Sequence, residues 1–229
     1  MSITPDRYPR ITALICTLNE EQNLPHVLPR IPAWVSEVLV IDGHSTDRTV
    51  EVARKIRPDI RILGQPGKGK GEALRYGIEH ASGDIIVTLD ADGSTDPGDI
   101  SRFIEPLLNG YDFAKGSRLY NGRRLNMRWH RRLGNKILVN SFNFLFGAKY
   151  TDICSGYNAF WKTTFQYLHP DCDGFEMEQQ ILARAKKANL NVVEVGHYDK
   201  GRLGDTSKVS VIKQGFCDLW VLFKERFHA

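Results

Sequence analysis

Four short apolar runs constrain this chain more than any other feature. RITALICT (10–17), SEVLVID (36–42), DIRILG (59–64) and GDIIVTLD (83–90) are of strand length and rich in Ile, Val and Leu. A strand apolar at nearly every position must be covered on both faces, as strands of parallel sheets are. Helices alternating with strands supply that cover. The segments between the runs agree. EEQNLPHVLPRI, after the first run, reads as a helix interrupted by prolines. STDRTVEVARKI (45–56) reads as a helix capped by Ser45 or Thr46, with Val50, Ala53 and Ile56 on one face. GEALRYGIEHA (71–81) is a third helix. The expected fold is α/β, with a mostly parallel central sheet and helices on both faces.

The second half is less regular. The pattern predicts a helix from near Pro97 to Asn109, a strand in YDFAKGSR and a basic, then apolar and aromatic, helix over 127–147. An amphipathic helix over 174–188, a strand at NVVEV (191–195) and a final helix over 211–227 follow. No repeat, low-complexity tract or linker divides the 229 residues, so one domain over 1–229 is expected.

Ligands of parallel α/β sheets bind outside the carboxyl ends of the strands. Three of those ends are polar here, at 17–20, 42–47 and 90–92, and should meet in one crevice. The last belongs to VTLDADGSTDP (87–97), with three carboxylates. Asp96 precedes Pro97 and suits a helix N-cap, with Asp99 in the first turn. Asp90 and Asp92 precede any helix. They are either a polar turn or a pair of hard oxygen ligands for Mg²⁺ or Mn²⁺, and spacing alone leaves both open. GQPGKGKGEA (64–73) has the P-loop spacing at Gly64, Gly69 and Lys70, but Gly71 stands where a Ser or Thr must reach the metal. That argues against an NTPase and leaves a glycine and lysine loop near phosphate. Asp42 suits a ribose or base edge, or a turn.

Charge is unevenly spread. No acidic residue lies between Asp112 and Asp152, a window holding Lys115, Arg118, Arg123, Arg124, Arg128, Arg131, Arg132, Lys136 and Lys149. Such a field favours an anionic partner. Basic residues followed by ILVNSFNFLF suit an interfacial helix on an anionic membrane surface. The tail's Phe216, Leu219, Trp220, Phe223 and Phe227, at helical spacing, read first as packing against the protein's own body. The window lacks a basic-aromatic RNA motif, so nucleic acid is not an expected partner. No apolar run approaches the ~18–20 residues of a membrane span. MSITPDRYPR has no signal-peptide core, so a cytoplasmic chain is expected. Cys16, Cys154, Cys172 and Cys217 form no Cys-x-x-Cys pair and are expected to be reduced.

Seven segments, in order, resemble the motifs of family-2 glycosyltransferases: TLNEEQNL, VIDGHSTDRTV, GKGKGEALRYGIEHASGDIIVTLDADGSTDP, KGSR, DICSGYNAF, GFEMEQQILARA and RLGDTSK. The resemblance spans roughly residues 10–210 and is nearest to the branch making dolichyl- or polyprenyl-phosphate mannose and other hexoses. It implies the Rossmann-like A-type glycosyltransferase fold. Residues 1–93 would be the nucleotide-sugar half, 94–210 the acceptor half and 211–229 a C-terminal amphipathic helix. It implies metal-dependent, inverting transfer of a hexose from a donor of the GDP-mannose or UDP-glucose type. The acceptor would be polyprenyl or dolichyl phosphate, the location peripheral at the inner membrane face. A glycan or small-molecule hydroxyl is the alternative acceptor, and a non-catalytic nucleotide-sugar or anionic-membrane binding protein the alternative of another class.

The same resemblance assigns Thr17, Asn19, Glu20, Asp42, Lys70, Asp90 and Asp92 to the nucleotide-sugar donor. Asp90 and Asp92 would hold Mg²⁺ or Mn²⁺. Arg118, Arg131, Arg132, Arg202, Ser207 and Lys208 would face donor or acceptor phosphates. Asp92 and Asp152 would be catalytic, Asp152 as a base or as an acceptor-orienting carboxylate. An ionised acceptor phosphate needs no strong base, whereas a hydroxyl would need Asp152 or Glu176 to take its proton. Two departures stand out: Ser94 replaces a frequent glutamine, and His44 a frequent glycine. The sugar, the nucleotide and the oligomeric state are not legible.

Overall fold

In a computed structural model, which describes residues 8–119, 129–203 and 211–227, all four apolar runs become strands. β1 (Ile11–Thr17), β2 (Glu37–Asp42), β3 (Arg61–Gly64) and β4 (Ile85–Asp90) pair in parallel, in the order β3-β2-β1-β4. The sheet continues through β6 (Asn158–Trp161), β5 (Phe113–Ser117) and β7 (Val192–Gly196). β6 runs antiparallel to both β4 and β5, while β5 and β7 are parallel. β6 and the helix after it were not evident in the sequence. The register aligns the polar strand ends: Thr17 lies beside Asp42, Cys16 beside Asp90, and Asp42 beside Gly64.

Eight helices of the described residues flank the sheet: α1 (Leu24–Val27), α2 (Thr49–Ile56), α3 (Lys70–His80), α4 (Ile100–Leu108), α5 (Trp129–Phe146), α6 (Lys162–Leu168), α7 (Met177–Lys187) and α8 (Val211–Phe227). Successive strand side chains enter opposite cores. Ala13, Ile15, Val38, Val40, Val87 and Leu89 join Leu24, Leu28 and Phe103 on one side. Leu14, Leu39, Ile41 and Ile86 join Leu74, Ile78, Phe142 and Leu222 on the other. Burial on both faces is what the continuous apolar runs demanded.

One helix start, that of α2, differs from the sequence reading, while the first helix is interrupted by its prolines as expected. The first helix is one turn followed by a 3-10 turn at Leu28–Arg30, because Pro25 and Pro29 withhold amide donors. α2 starts at Thr49, since Ser45 and Thr46 are used elsewhere. Ser45 Oγ accepts from the Asn19 amide at 2.9 Å, and the Thr46 amide donates to Asn19 Oδ1 at 2.7 Å. Asp47 receives the Thr49 amide instead, at 3.0 Å. Asp96 does cap, accepting from the Gly98 amide at 3.0 Å. All four cysteines are free thiols, as expected. No helix of the described residues is long and apolar enough to cross a membrane.

α8 reverses its expected orientation. Val221 and Leu222 pack inward and Leu219 rests on the core, but Phe216, Trp220, Phe223 and Phe227 face outward. Two carboxylates, Asp218 and Glu225, are buried in their place. Glu225 is matched by Arg184 Nε and Gln180 Nε2, each at 2.9 Å. Asp218 accepts from Gln214 Nε2 at 2.8 Å while Glu176 and Glu178 face it with like charge. Burial, with that repulsion, pushes its carboxyl up to about 6. The native state therefore holds this proton more tightly than the unfolded chain, and stability is lost as pH rises from about 4 through about 6. Asp218→Asn is expected to be more stable than the wild type by about 2 kcal/mol at pH 8. The advantage should vanish near pH 4, as read from urea unfolding at the two pH values.

Candidate active site

The site assembles where β1, β2 and β4 end. Asp90 is the last residue of β4, and Ala91 returns the chain so that Asp92 follows on the same edge. Gly93 turns the loop at φ 75°, and the Ser94 amide donates to Asp92 Oδ1 at 3.0 Å. A strap at 199–203 clasps this loop. The Lys200 amide donates to Ser94 O at 2.8 Å and the Leu203 amide to Asp92 O at 3.1 Å. The positive φ favours glycine at 93, and a Cβ there would also have to displace the Leu203 side chain, whose Cδ1 would lie 2.5 Å away. Beside the loop lies a cleft of about 300 Å³ whose lining includes His26, Arg30, Thr95 and Lys200.

Asp90 is fixed by Lys70. Lys70 Nζ donates to Asp90 Oδ1 at 2.7 Å and to Glu178 Oε1 at 2.8 Å. Burial opposes its charge, but the two carboxylates hold Lys70 protonated well above its usual range. Burial alone would raise the Asp90 carboxyl; Lys70, then Arg118, pull it below the ordinary value. A Cβ at Gly156 would come within 2.5 Å of Asp90 Oδ2, so that position keeps the carboxylate in place.

The P-loop-like segment does not present its backbone to a ligand. The Gly71 and Glu72 amides, at the start of α3, donate to Asp173 O at 2.8 and 3.2 Å. Gly69, at φ 100°, and Gly71 allow that approach, since a Cβ at either would meet the 172–174 backbone at 2.2 to 2.5 Å. The loop delivers the Lys70 ammonium rather than a nest of amides.

Asp92 faces a different cation. Arg202 donates to Glu20 Oε1 at 2.6 Å and its other terminal nitrogen lies 3.8 Å from Asp92 Oδ2. Glu20 also accepts from Asn23 Nδ2 at 2.6 Å. Arg202 Nε is buried with no hydrogen-bond partner.

The third pair is Arg118 with Asp152. Arg118 Nε donates to Asp152 Oδ2 at 2.6 Å and a terminal nitrogen to Oδ1 at 3.0 Å. The Arg118 and Cys154 amides add bonds at 3.2 and 3.0 Å. Asp152 is 0% exposed. Burial would raise its carboxyl, but the Arg118 guanidinium holds it far below the carboxylate range. A carboxylate so engaged is a poor proton acceptor at neutral pH. Glu176, the other base candidate, accepts from Gly174 N at 3.2 Å and Gln214 Nε2 at 3.1 Å.

Of the other candidates, Thr17 is buried, with its hydroxyl 3.4 Å from Ile41 O, and Asp42 accepts from the Ser45 amide at 3.0 Å. Asn19, at φ 57°, uses its side chain on Thr46. These three stand at the β1 and β2 ends, the first two side by side. Arg132 is exposed on α5. The side chain of Arg131, and Ser207 and Lys208 altogether, lie outside the described residues.

Sequence reasoning missed Glu178, Asp199 and His197. Asp199 lies 3.9 Å from Arg118, and burial raises its carboxyl, with the charges of Asp92 and Asp90 adding to the rise. His197 shares a 2.8 Å hydrogen bond with Ser155 Oγ; burial lowers it to about 4, so the ring is neutral. The only local signal was position, since Asp199 and His197 neighbour Arg202.

Asp90, Asp92 and Asp199 are thus interleaved with Lys70, Arg118 and Arg202. Among the described residues no three His, Cys, Asp or Glu side chains are grouped to hold a metal by themselves. An all-oxygen set of one or two carboxylates still fits Mg²⁺ or Mn²⁺, which share such sites with phosphate oxygens and water.

The comparisons with known proteins bear on the family and the fold. The family model described as glycosyl transferase family 2 matches residues 12–169. The chain is 33% identical over 208 residues to the glycosyltransferase AglJ of Haloferax volcanii, covering 89% of this chain and 67% of that one. It is 32% identical over 215 residues to an uncharacterized glycosyltransferase of Mycobacterium tuberculosis, covering 92% and 96%. It is 31% identical over 196 residues to the dolichol-phosphate mannosyltransferase of Pyrococcus furiosus, covering 81% of this chain but 55% of that protein. Glucosyl-3-phosphoglycerate synthase of Mycobacterium tuberculosis, solved with Mn²⁺, UDP and phosphoglyceric acid, superposes with a TM-score of 0.75 at 20% identity. It covers 96% of this chain and 79% of its own, a likeness of fold.

Proposed function

The chain belongs to glycosyltransferase family 2, and from that premise we propose that it moves a hexose from a nucleotide sugar to a polyprenyl phosphate. Membership makes it a glycosyltransferase with the A-type fold, in place of a non-catalytic binding protein. In this reading the nucleoside lies against the ends of β1 and β2, near Thr17 and Asp42. The donor diphosphate lies at Asp90 and Asp92. These two carboxylates would hold Mg²⁺ or Mn²⁺, and the bound ion would neutralise charge on the departing diphosphate. The glucosyl-3-phosphoglycerate synthase structures containing Mn²⁺ or Mg²⁺ with UDP support that choice of metal. Lys70 keeps Asp90 ionised and aimed. Arg202 bridges Glu20 to the Asp92 side of the site and is a second cation for diphosphate oxygens.

The observation that carries the acceptor is the Arg118–Asp152 pair. A hydroxyl acceptor needs a base, and Asp152 is buried, four-fold hydrogen-bonded and held acidic. A phosphate monoester is already anionic at neutral pH. It needs a fixed cation, and Asp152 holds the Arg118 guanidinium in one orientation. One phosphate oxygen then attacks the anomeric carbon as its bond to the diphosphate breaks, with inversion and no proton to remove. Asp199, whose carboxyl is raised at the same edge, is the observation that favours the second reading, transfer to a hydroxyl.

The test is a donor panel. The purified chain, with Mg²⁺ or Mn²⁺, is given GDP-mannose, UDP-glucose and other common nucleotide sugars together with a short-chain polyprenyl phosphate. Organic-extractable sugar from one donor is expected. Sugar transferred only to hydroxyl acceptors, and lost in Asp199→Asn, overturns the phosphate acceptor.

A further inference from the structure

The outward faces of α5 and α8 carry seven of the exposed large apolar side chains among the described residues. On α8, Phe216, Trp220, Phe223 and Phe227 recur at steps of four, three and four residues, and Phe216 and Trp220 are 71% and 70% exposed. On α5, Leu133, Ile137 and Phe144 form a like stripe, with Phe144 87% exposed. Both helices bury the opposite side in the same core layer, through Leu138, Val139, Phe142 and Leu222. The two stripes therefore lie on one side of the molecule.

Charge identifies the occupant. Every charged side chain described as exposed on the two helices is a cation: Arg132 and Lys136 on α5, and Lys213, Lys224 and Arg226 on α8. The acids of α8, Asp218 and Glu225, are buried on its inner side. Aromatic side chains flanked by Lys and Arg are the pattern of a helix lying in a membrane interface. Anionic headgroups attract the cations while Trp and Phe enter the headgroup–acyl boundary. A second copy of the chain would bring like charges together, which disfavours self-association through this face.

We propose that the face shared by α5 and α8 docks on an anionic lipid bilayer. This deepens the acceptor reading, on which it rests for its purpose alone. α8 packs on α7, whose Glu178 holds Lys70 at the donor edge, and Gln214 of α8 bonds Glu176 just before α7, so the docking face is carried by a helix tied to the site.

Flotation with vesicles of phosphatidylcholine, with and without phosphatidylglycerol, tests the docking. Binding is expected only with phosphatidylglycerol and should weaken with salt. The double variant Trp220→Ser, Phe223→Ser should bind about tenfold or more weakly. Its melting temperature and its transfer to a water-soluble short-chain prenyl phosphate should be unchanged. Lys224→Glu with Arg226→Glu should abolish the preference for the anionic lipid. No flotation on phosphatidylglycerol vesicles, or binding untouched by both variants, overturns the proposal. So does a dimer in lipid-free solution that Trp220→Ser, Phe223→Ser splits. Flotation without any lipid-linked sugar product would instead overturn the acceptor reading. Product from the short-chain acceptor without flotation would overturn docking alone.

Discussion

Asp92→Ala is expected to lower sugar transfer by about 10³-fold and to abolish the metal dependence of nucleotide binding. Asp92 is the informative member of the pair. Asp90→Ala would leave buried Lys70 with Glu178 as its remaining ionic partner, so its effect would mix folding with chemistry. The Asp92 side chain is 24% exposed, gives up one hydrogen bond from the Ser94 amide, and leaves Arg202 on Glu20. Its alanine variant should therefore unfold within about 1 kcal/mol of the wild type. Titration calorimetry of UDP and GDP, with Mn²⁺ and with a chelator, reads the binding. The wild type in chelator should match the variant in Mn²⁺. Unaltered metal-dependent binding in the variant would remove Asp92 from the metal site and, with it, the role given to the strand end.

The strands were legible because each is a continuous apolar run, and continuity itself implies cover on both faces. β6 was not. It is four residues long and opens on Asn158, and its pairing depends on β4 and β5 being brought together from distant parts of the chain. The carboxylates at the end of β4 were visible as a pattern, but their partners were not. Lys70 reaches Asp90 across 20 residues and Glu178 across 108, distances that no local periodicity encodes. The α8 stripe was misread for a simpler reason. Its two faces have the same period, and hydrophobicity nominated the aromatic face as the core side. Arg184, Gln180 and Lys187 of α7 decide otherwise, because they give Glu225 a buried berth on the opposite face.

Asp152 is where the sequence left two roles and the geometry separates their consequences. If it orients Arg118, Asp152→Asn breaks a buried bidentate pair and leaves a guanidinium, 16% exposed, without its counter-charge. The loss should be about 3 kcal/mol of stability, because breaking one side of a buried pair strands the other. The sign with pH follows from a carboxyl held below its unfolded value. The pair's stabilisation is complete above the unfolded pKa, near 4, and is lost only as pH falls towards the folded value. The gap between wild type and variant in urea unfolding should therefore be constant from about pH 5 to pH 9 and close in stronger acid. Transfer should fall by about 10²-fold through misplacement of Arg118, while its pH dependence near neutrality stays that of the wild type. A base would lose the same stability, since the pair is broken either way, but would differ in the rate profile: its removal would flatten the acidic limb, because that limb is the titration of the missing group. The stability curve of this variant therefore checks the pair itself, and its pH–rate curve decides between a phosphate acceptor held by a fixed cation and a hydroxyl acceptor deprotonated by Asp152.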